Sequence, residues 1–188
     1  MDLYELHQRT NAILSRTKSA PKATIICYTN CITLLKSKQW TSGLDLATKL
    51  IDLLHQISTP NLDEMVAMLC TICKQITMSI NSPDAEAGSP MPTLSVSAFR
   101  LWAKKAVDWS VGVSEWKFGD SRLLLGLVQV SVCLEDWEGV LLWGRYCAHS
   151  AVLPLLQQAL AEQGAAAKAT LIEALQRVKN RSFIQQIE

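Results

Sequence analysis

Four of the six cysteines fall in two close pairs, Cys27 with Cys31 and Cys70 with Cys73. Four thiolates are enough to hold a zinc ion, and spacings of four and three put each pair on one face of a helix. Both pairs are embedded in Ile, Leu, Met and Ala and lack the glycine-rich knuckles of zinc ribbons. A free cysteine packs as a small hydrophobe, so buried structural cysteine is the preferred reading over metal binding or redox use. The three histidines, His7, His55 and His149, sit on separate helices or at helix ends, and none has the spacing of a metal-binding His-Glu-x-x-His. No serine lies in a Gly-x-Ser-x-Gly elbow, and the glycines between Gly112 and Gly119 lack the preceding strand and the Lys-Ser/Thr of a phosphate loop. The acidic pairs Asp63-Glu64 and Glu135-Asp136 fall at helix starts, where the helix dipole accounts for them. The chain reads as non-enzymatic, with no catalytic residue, no metal and no cofactor.

What such residues are mounted on is almost entirely helical. Apolar periodicity marks a first helix through Leu3, Leu6, Ile13 and Leu14, a second from about Lys22 to Lys38, and a third through Leu44 to Leu54 after Trp40-Thr41-Ser42-Gly43. A fourth starts at the N-cap Asn61 and runs to about Ile80. Further helices are expected over Thr93 to Ser110, Asp120 to Leu134, Glu135 to His149, Ala151 to Gln163 and Ala165 to about Gln186, with Gly164 interrupting the last two. Residues 82–92 carry three prolines and almost no bulky apolar residue, and read as a loop within one domain spanning 1–188. Consecutive helix pairs joined by short loops describe an all-α fold, an α-solenoid of stacked antiparallel pairs of tetratricopeptide-like architecture without its strict sequence signature and without a sheet. A helical bundle and a globin-like packing remain the alternatives.

The 18 basic and 17 acidic residues leave a net charge of +1, which gives no electrostatic footprint for nucleic acid or an anionic membrane. No run approaches the roughly 20 apolar residues of a spanning helix, and Met1-Asp2-Leu3-Tyr4-Glu5 lacks the character of a signal peptide. A cytoplasmic chain with reduced thiols is expected. Among the six tryptophans, Trp102 and Trp109 are two turns apart on one face, as core packing would place them, whereas Trp40, between polar residues, is expected to be partly exposed. Trp109 and Trp116 flank a corner in which Gly119 can take a positive φ and Asp120 can cap the next helix. Arg9, Arg16, Lys18 and Lys22 make the N-terminal end basic, which reads as a solvated face or as a docking patch for an acidic protein partner.

Tyr4-Glu5-Leu6-His7-Gln8 resembles the Tyr-Glu-Ala-His-Gln signature of the Get-four family, the cytosolic adaptor of the guided entry of tail-anchored proteins pathway, homologous to the 35 kDa subunit of the transmembrane recognition complex. Trp109-Ser110 followed by Ser114-Glu115-Trp116-Lys117-Phe118-Gly119-Asp120 is similar to that family's second hallmark. Leu34 to Gln39 and Ser42-Gly43-Leu44-Asp45-Leu46 fall between them in the family's order. The resemblance covers about residues 2–150. It implies an α-solenoid that docks on the dimeric, ATP-bound targeting ATPase of the pathway and restrains hydrolysis until a tail-anchored client is loaded. By position it places Arg9, Arg16, Lys18 and Asp45 toward the ATPase, and Tyr4 and His7 in the packing of the first helix pair. It also implies a ubiquitin-like partner bridging to a client-carrying cochaperone. That partner is gripped by the family's C-terminal half, and this chain ends where that half would begin. A generic solenoid scaffold with another protein partner is the competing function.

Overall fold

The computed structural model describes residues 2–57, 61–82, 93–114, 117–147 and 149–178. Among them are eight helices and no strand. They are α1 (Leu3–Arg16), α2 (Ala20–Lys36), α3 (Trp40–Leu54), α4 (Leu62–Asn81), α5 (Val96–Val113), α6 (Ser121–Cys133), α7 (Trp137–Gly144) and α8 (His149–Val178). Of the expected loop over 82–92 only Ser82 falls among the described residues, and Trp116 lies outside them. The chain is all-α, and its helix order is consistent with a solenoid of paired helices.

Contacts gather into two compact units, Met1–Leu123 and Leu124–Glu188. In the first, α2 packs on both α3 and α4, α3 packs on α1 and α5, and α4 touches α5. The helices therefore alternate between two rows, α1, α3 and α5 in one and α2 and α4 in the other, which is how successive helix pairs stack. The core between the rows is built from residues at helical spacing: Leu34 and Leu35 of α2, Leu46, Leu50 and Ile51 of α3, Leu69, Ile72 and Ile76 of α4, and Phe99, Trp102 and Trp109 of α5. Phe99 and Trp102 pack with ring centroids 5.9 Å apart and planes tilted by 39°. The second unit packs α7 on α8. Leu127, Val128 and Val130 of α6, Trp137, Val140 and Trp143 of α7, and Val152 and Leu156 of α8 are its buried side chains.

The turn between α2 and α3 shows why helix boundaries differ from those read by periodicity. Gln39 N–H bonds to Leu34 C=O at 2.9 Å and Lys38 N–H to Leu35 C=O at 3.1 Å, the pattern of a Schellman ending, with Lys38 left-handed at φ 55°. The turn reverses the chain in three residues, so α3 begins at once with Trp40. That tryptophan is 6% exposed, contrary to the expectation that its polar neighbours leave it in the open. Gly43 then lies inside the first turn of α3 because a Cβ there would sit 2.6 Å from Leu35 Cδ2; its absence lets the two helices approach. The same device recurs in the second unit. Glu135 is left-handed at φ 54°, Asp136 N–H bonds to Ser131 C=O at 2.9 Å, and Trp137 opens α7 at 3% exposure.

Other boundaries depart from expectation as well: α5 spans Val96–Val113, and His149 opens α8 rather than ending α7. Pro21 sits in the first turn of α2, where its missing N–H costs nothing, so the helix starts at Ala20 rather than near Lys22. Gly164 does not split the C-terminal region: α8 runs unbroken from His149 to Val178. A helical glycine costs only about 1 kcal/mol relative to alanine, and the three alanines that follow favour the helix.

Candidate functional site

On α1 the buried positions are Leu6 and Thr10, and Thr10 fixes the helix to its neighbour. Its hydroxyl donates to Leu6 C=O at 2.7 Å and accepts from Asn30 Nδ2 of α2 at 3.0 Å. Asp2 caps the helix, accepting from Tyr4 N–H at 3.0 Å. With that side held down, the spacing of 3.6 residues per turn turns Glu5, Arg9, Ala12 and Arg16 into one solvent-facing stripe, with Tyr4 and Gln8 along one margin and Ile13 along the other. Tyr4 is 68% exposed, so it does not pack the first helix pair together as the resemblance implied. Arg9 and Glu5 form an i,i+4 ion pair at 2.9 Å, which means that part of the basic charge is matched within the helix. Arg16 and Lys18 are exposed and make no ion pair among the described residues.

Behind this stripe lies a polar cluster joining α1 to α3. His7 Nε2 is 2.7 Å from Asp45 Oδ2 and donates to it. Lys49 Nζ, one turn beyond Asp45, donates to the same oxygen at 2.7 Å and to Asn11 Oδ1 at 2.9 Å. One helix further along the same row, Lys105 of α5 reaches Asp52 of α3 at 2.6 Å. Asp45, Lys49 and Asp52 share one face of α3, so a line of charges fixes the register of the α1, α3 and α5 row. His7 therefore ties α1 to α3 rather than packing the first helix pair, while Asp45 is engaged from two sides inside the chain. Burial pushes the Asp45 carboxyl up, but the Lys49 ammonium and His7 outweigh it and hold it below the usual carboxylate range. A depressed carboxylate stabilises the fold above its unfolded value of 3.8 and loses that contribution as pH falls through the folded value. Asp45→Asn is therefore expected to lower stability by about 0.5–1 kcal/mol at neutral pH, a small figure because the pair is partly solvated. The difference from wild type should shrink below about pH 4, as denaturant titrations at pH 7 and pH 3 would show. An equal difference at both values would remove Asp45 ionisation as the cause.

The second hallmark is a corner in which Asp120 and Arg122, at the start of α6, meet Ser110 of α5 and Asp63 of α4. Ser110, fully buried beside Trp109, accepts from Asp120 N–H through its Oγ at 2.8 Å. Gly119, at φ 87°, passes so close that a Cβ would lie 3.2 Å from that Oγ, which is the positive φ expected of it. Asp120 then caps α6, accepting from Arg122 N–H at 2.8 Å. Its other oxygen holds Arg122 Nη2 at 2.8 Å, and Arg122 reaches across to Asp63 of α4 at 2.8 Å. The Arg122 guanidinium beside Asp120 keeps that carboxyl below its ordinary range. Phe118 stays 44% exposed with Lys117 Nζ 5.5 Å from its ring centroid. The sequence signals the cap and the glycine; nothing in it pairs Arg122 with Asp63, which are 59 residues apart.

Of the two cysteine pairs, Cys27, Cys31 and Cys73 are buried among the packed helices and Cys70 is half-buried. Cys27 Sγ donates to Leu46 C=O at 3.1 Å and Cys31 Sγ to Gly43 C=O at 3.3 Å, both fully buried where α2 meets α3. Burial pushes the Cys27 thiol up to about 12, and pushes Cys31 and Cys73 up as well, so these groups stay protonated and unreactive. His55 ends α3 exposed to solvent.

Stacked helix pairs whose polar groups cap, clamp and align helices define an all-α helical scaffold. A family model described as GET4, Golgi to ER traffic protein 4, matches residues 17–129, more than half of the chain, and the chain belongs to that family. The match takes in Lys18, Asp45 and the whole corner from Trp109 to Asp120, and begins just after Arg16. No curated protein matches the chain. The family is one of adaptor-type proteins with a role in Golgi-to-ER traffic. No helix among the described residues is long and apolar enough to cross a membrane.

Proposed function

We propose that this chain is a non-enzymatic cytoplasmic adaptor in the post-translational targeting of tail-anchored proteins to the endoplasmic reticulum, and that it docks on the ATP-bound dimer of the targeting ATPase and regulates client loading. The observation that carries this reading is the solvent face of α1. Arginines line that face, with an exposed tyrosine on one margin and an exposed isoleucine on the other, on a helix tied to α2 and α3 from behind. Tyr and Arg are the residue types that dominate protein interfaces, and Arg16 and Lys18 supply basic charge that makes no ion pair among the described residues. In this arrangement Arg16 and Lys18 steer an acidic partner surface, Arg9 contributes through its aliphatic stem as well as its charge, and Tyr4 is an anchor rather than a packing residue. Asp45 acts behind the face by holding α1 in place through His7. The ubiquitin-like partner belongs to the same proposal only as a bridge to the client-carrying cochaperone.

Affinity capture of the purified targeting ATPase by this chain, with ADP and with a non-hydrolysed ATP analogue, tests the reading. Retention is expected with the ATP analogue and much less with ADP. Equal failure in both nucleotide states would favour the competing scaffold function with another protein partner.

A further inference from the structure

A second surface lies away from α1, where α2, α3 and α4 meet. Where α2 starts, α3 ends and α4 starts, the three helices leave a half-open cleft of about 250 Å³, lined by Ile25, Leu54, Ile57, Met65 and Met68. Ile25 is 60% exposed at the mouth of this cleft, so the apolar lining reaches the surface. The cleft is smaller than the 300–1,000 Å³ typical of small-molecule sites, so it suits a few aliphatic side chains entering from outside. Methionine at two of the positions gives a surface that repacks around different anchors.

Charge decides what those anchors come on. Among the described lining residues Glu64 is the one charged group. Its carboxylate has a single long contact, 3.5 Å from Asn61 Nδ2, and makes no ion pair among the described residues, whereas its neighbour Asp63 is taken by Arg122. An apolar cleft with one unmatched carboxylate on its rim complements an apolar stripe flanked by a cation. We infer that the cleft is a docking site for a short amphipathic helix of a protein partner, with aliphatic residues one turn apart seated against Ile25, Met65 and Met68 and a Lys or Arg beside them paired with Glu64. Such a helix buries its apolar face as one more solenoid helix would, and the rim pair sets its direction along the cleft. The cleft is lined by residues 21–68 of α2, α3 and α4 and their connections, none of them a residue of the α1 face.

Methyl resonances of the methionines read this directly, because Met65 and Met68 line the cleft while Met78, at the far end of α4 and 56% exposed, does not. The probes are two synthetic helical peptides with paired leucines one turn apart, one flanked by arginines and the other by glutamates. The arginine peptide is expected to shift Met65 and Met68 but not Met78, and to bind about three- to fivefold tighter than the glutamate peptide, the scale of one exposed charge pair. Glu64→Lys should reverse that order. Ile25→Asp, at an exposed position that leaves the remaining methyl spectrum unchanged, should abolish the shifts. The inference is overturned if the arginine peptide leaves Met65 and Met68 unmoved, if Met78 moves as much as they do, or if Glu64→Lys leaves the order of the two peptides as it was.

Discussion

Trp109→Ala is expected to destabilise the protein by about 3–5 kcal/mol, the range for deleting a buried aromatic side chain. Trp109 is 1% exposed near the end of α5, and its neighbour Ser110 supplies the hydroxyl that accepts from Asp120 N–H. Loss of the ring leaves a cavity that α5 can fill only by shifting, and a shift moves Ser110 away from Asp120. That contact organises the cap of α6 and, through Arg122, the tie to α4, so the cost includes more than the transfer of the indole out of water. Denaturant midpoints for wild type and variant measure it, with an unchanged slope showing that the two unfold over the same surface. A midpoint unchanged within error would mean that the corner does not depend on the ring. Trp116 carries the same expectation from sequence, and its replacement by Ala should behave alike if its ring is also in the core.

Much of this architecture is legible in the sequence because helix cores repeat every three or four residues and helix starts announce themselves chemically. Asn61, Ser95 and Asp120 are oxygen-bearing caps, and each accepts from a backbone N–H of the first turn. The two helix ends that carry Lys38 and Glu135 are hidden for a physical reason. A left-handed residue there is normally glycine, and a lysine or glutamate gives no sign of the sharp reversal it makes. That hidden reversal is why Trp40, which its polar neighbours place in a loop, instead opens α3 as a buried side chain. Pair partners across elements are equally invisible: Asp45 is readable beside Lys49 at i+4, but the approach of His7 and Asn11 to them depends on how α1 lies against α3. In the sequence, charge alone marks the candidate interaction face. The structure adds Tyr4 and Ile13 to it, and subtracts part of Arg9, whose charge Glu5 already meets.

Arg16 is therefore the residue on which the docking reading turns. It ends α1, is exposed, and makes no ion pair among the described residues, so its charge is available to a partner carboxylate. Arg16→Glu should slow association with the ATP-bound targeting ATPase by about tenfold, since reversing a rim charge acts mainly on encounter and orientation. The fold should scarcely respond. A cation in the last turn favours the helix dipole, and exchanging it for an anion costs no more than about 0.3–1 kcal/mol. Binding by the wild type should weaken as salt rises, because the Debye length falls to about 3 Å at 1 M, and the variant should show a shallower salt dependence. Arg9→Glu makes the internal comparison: it places two glutamates one turn apart in α1, so it should cost more stability than Arg16→Glu for each unit of affinity lost. Association rates and calorimetric titrations of both variants, with melting curves beside them, separate steering from folding. A wild-type association rate for Arg16→Glu at low salt would remove this face from the ATPase interface, leaving the cleft between α2 and α4 as the surface to examine for that partner.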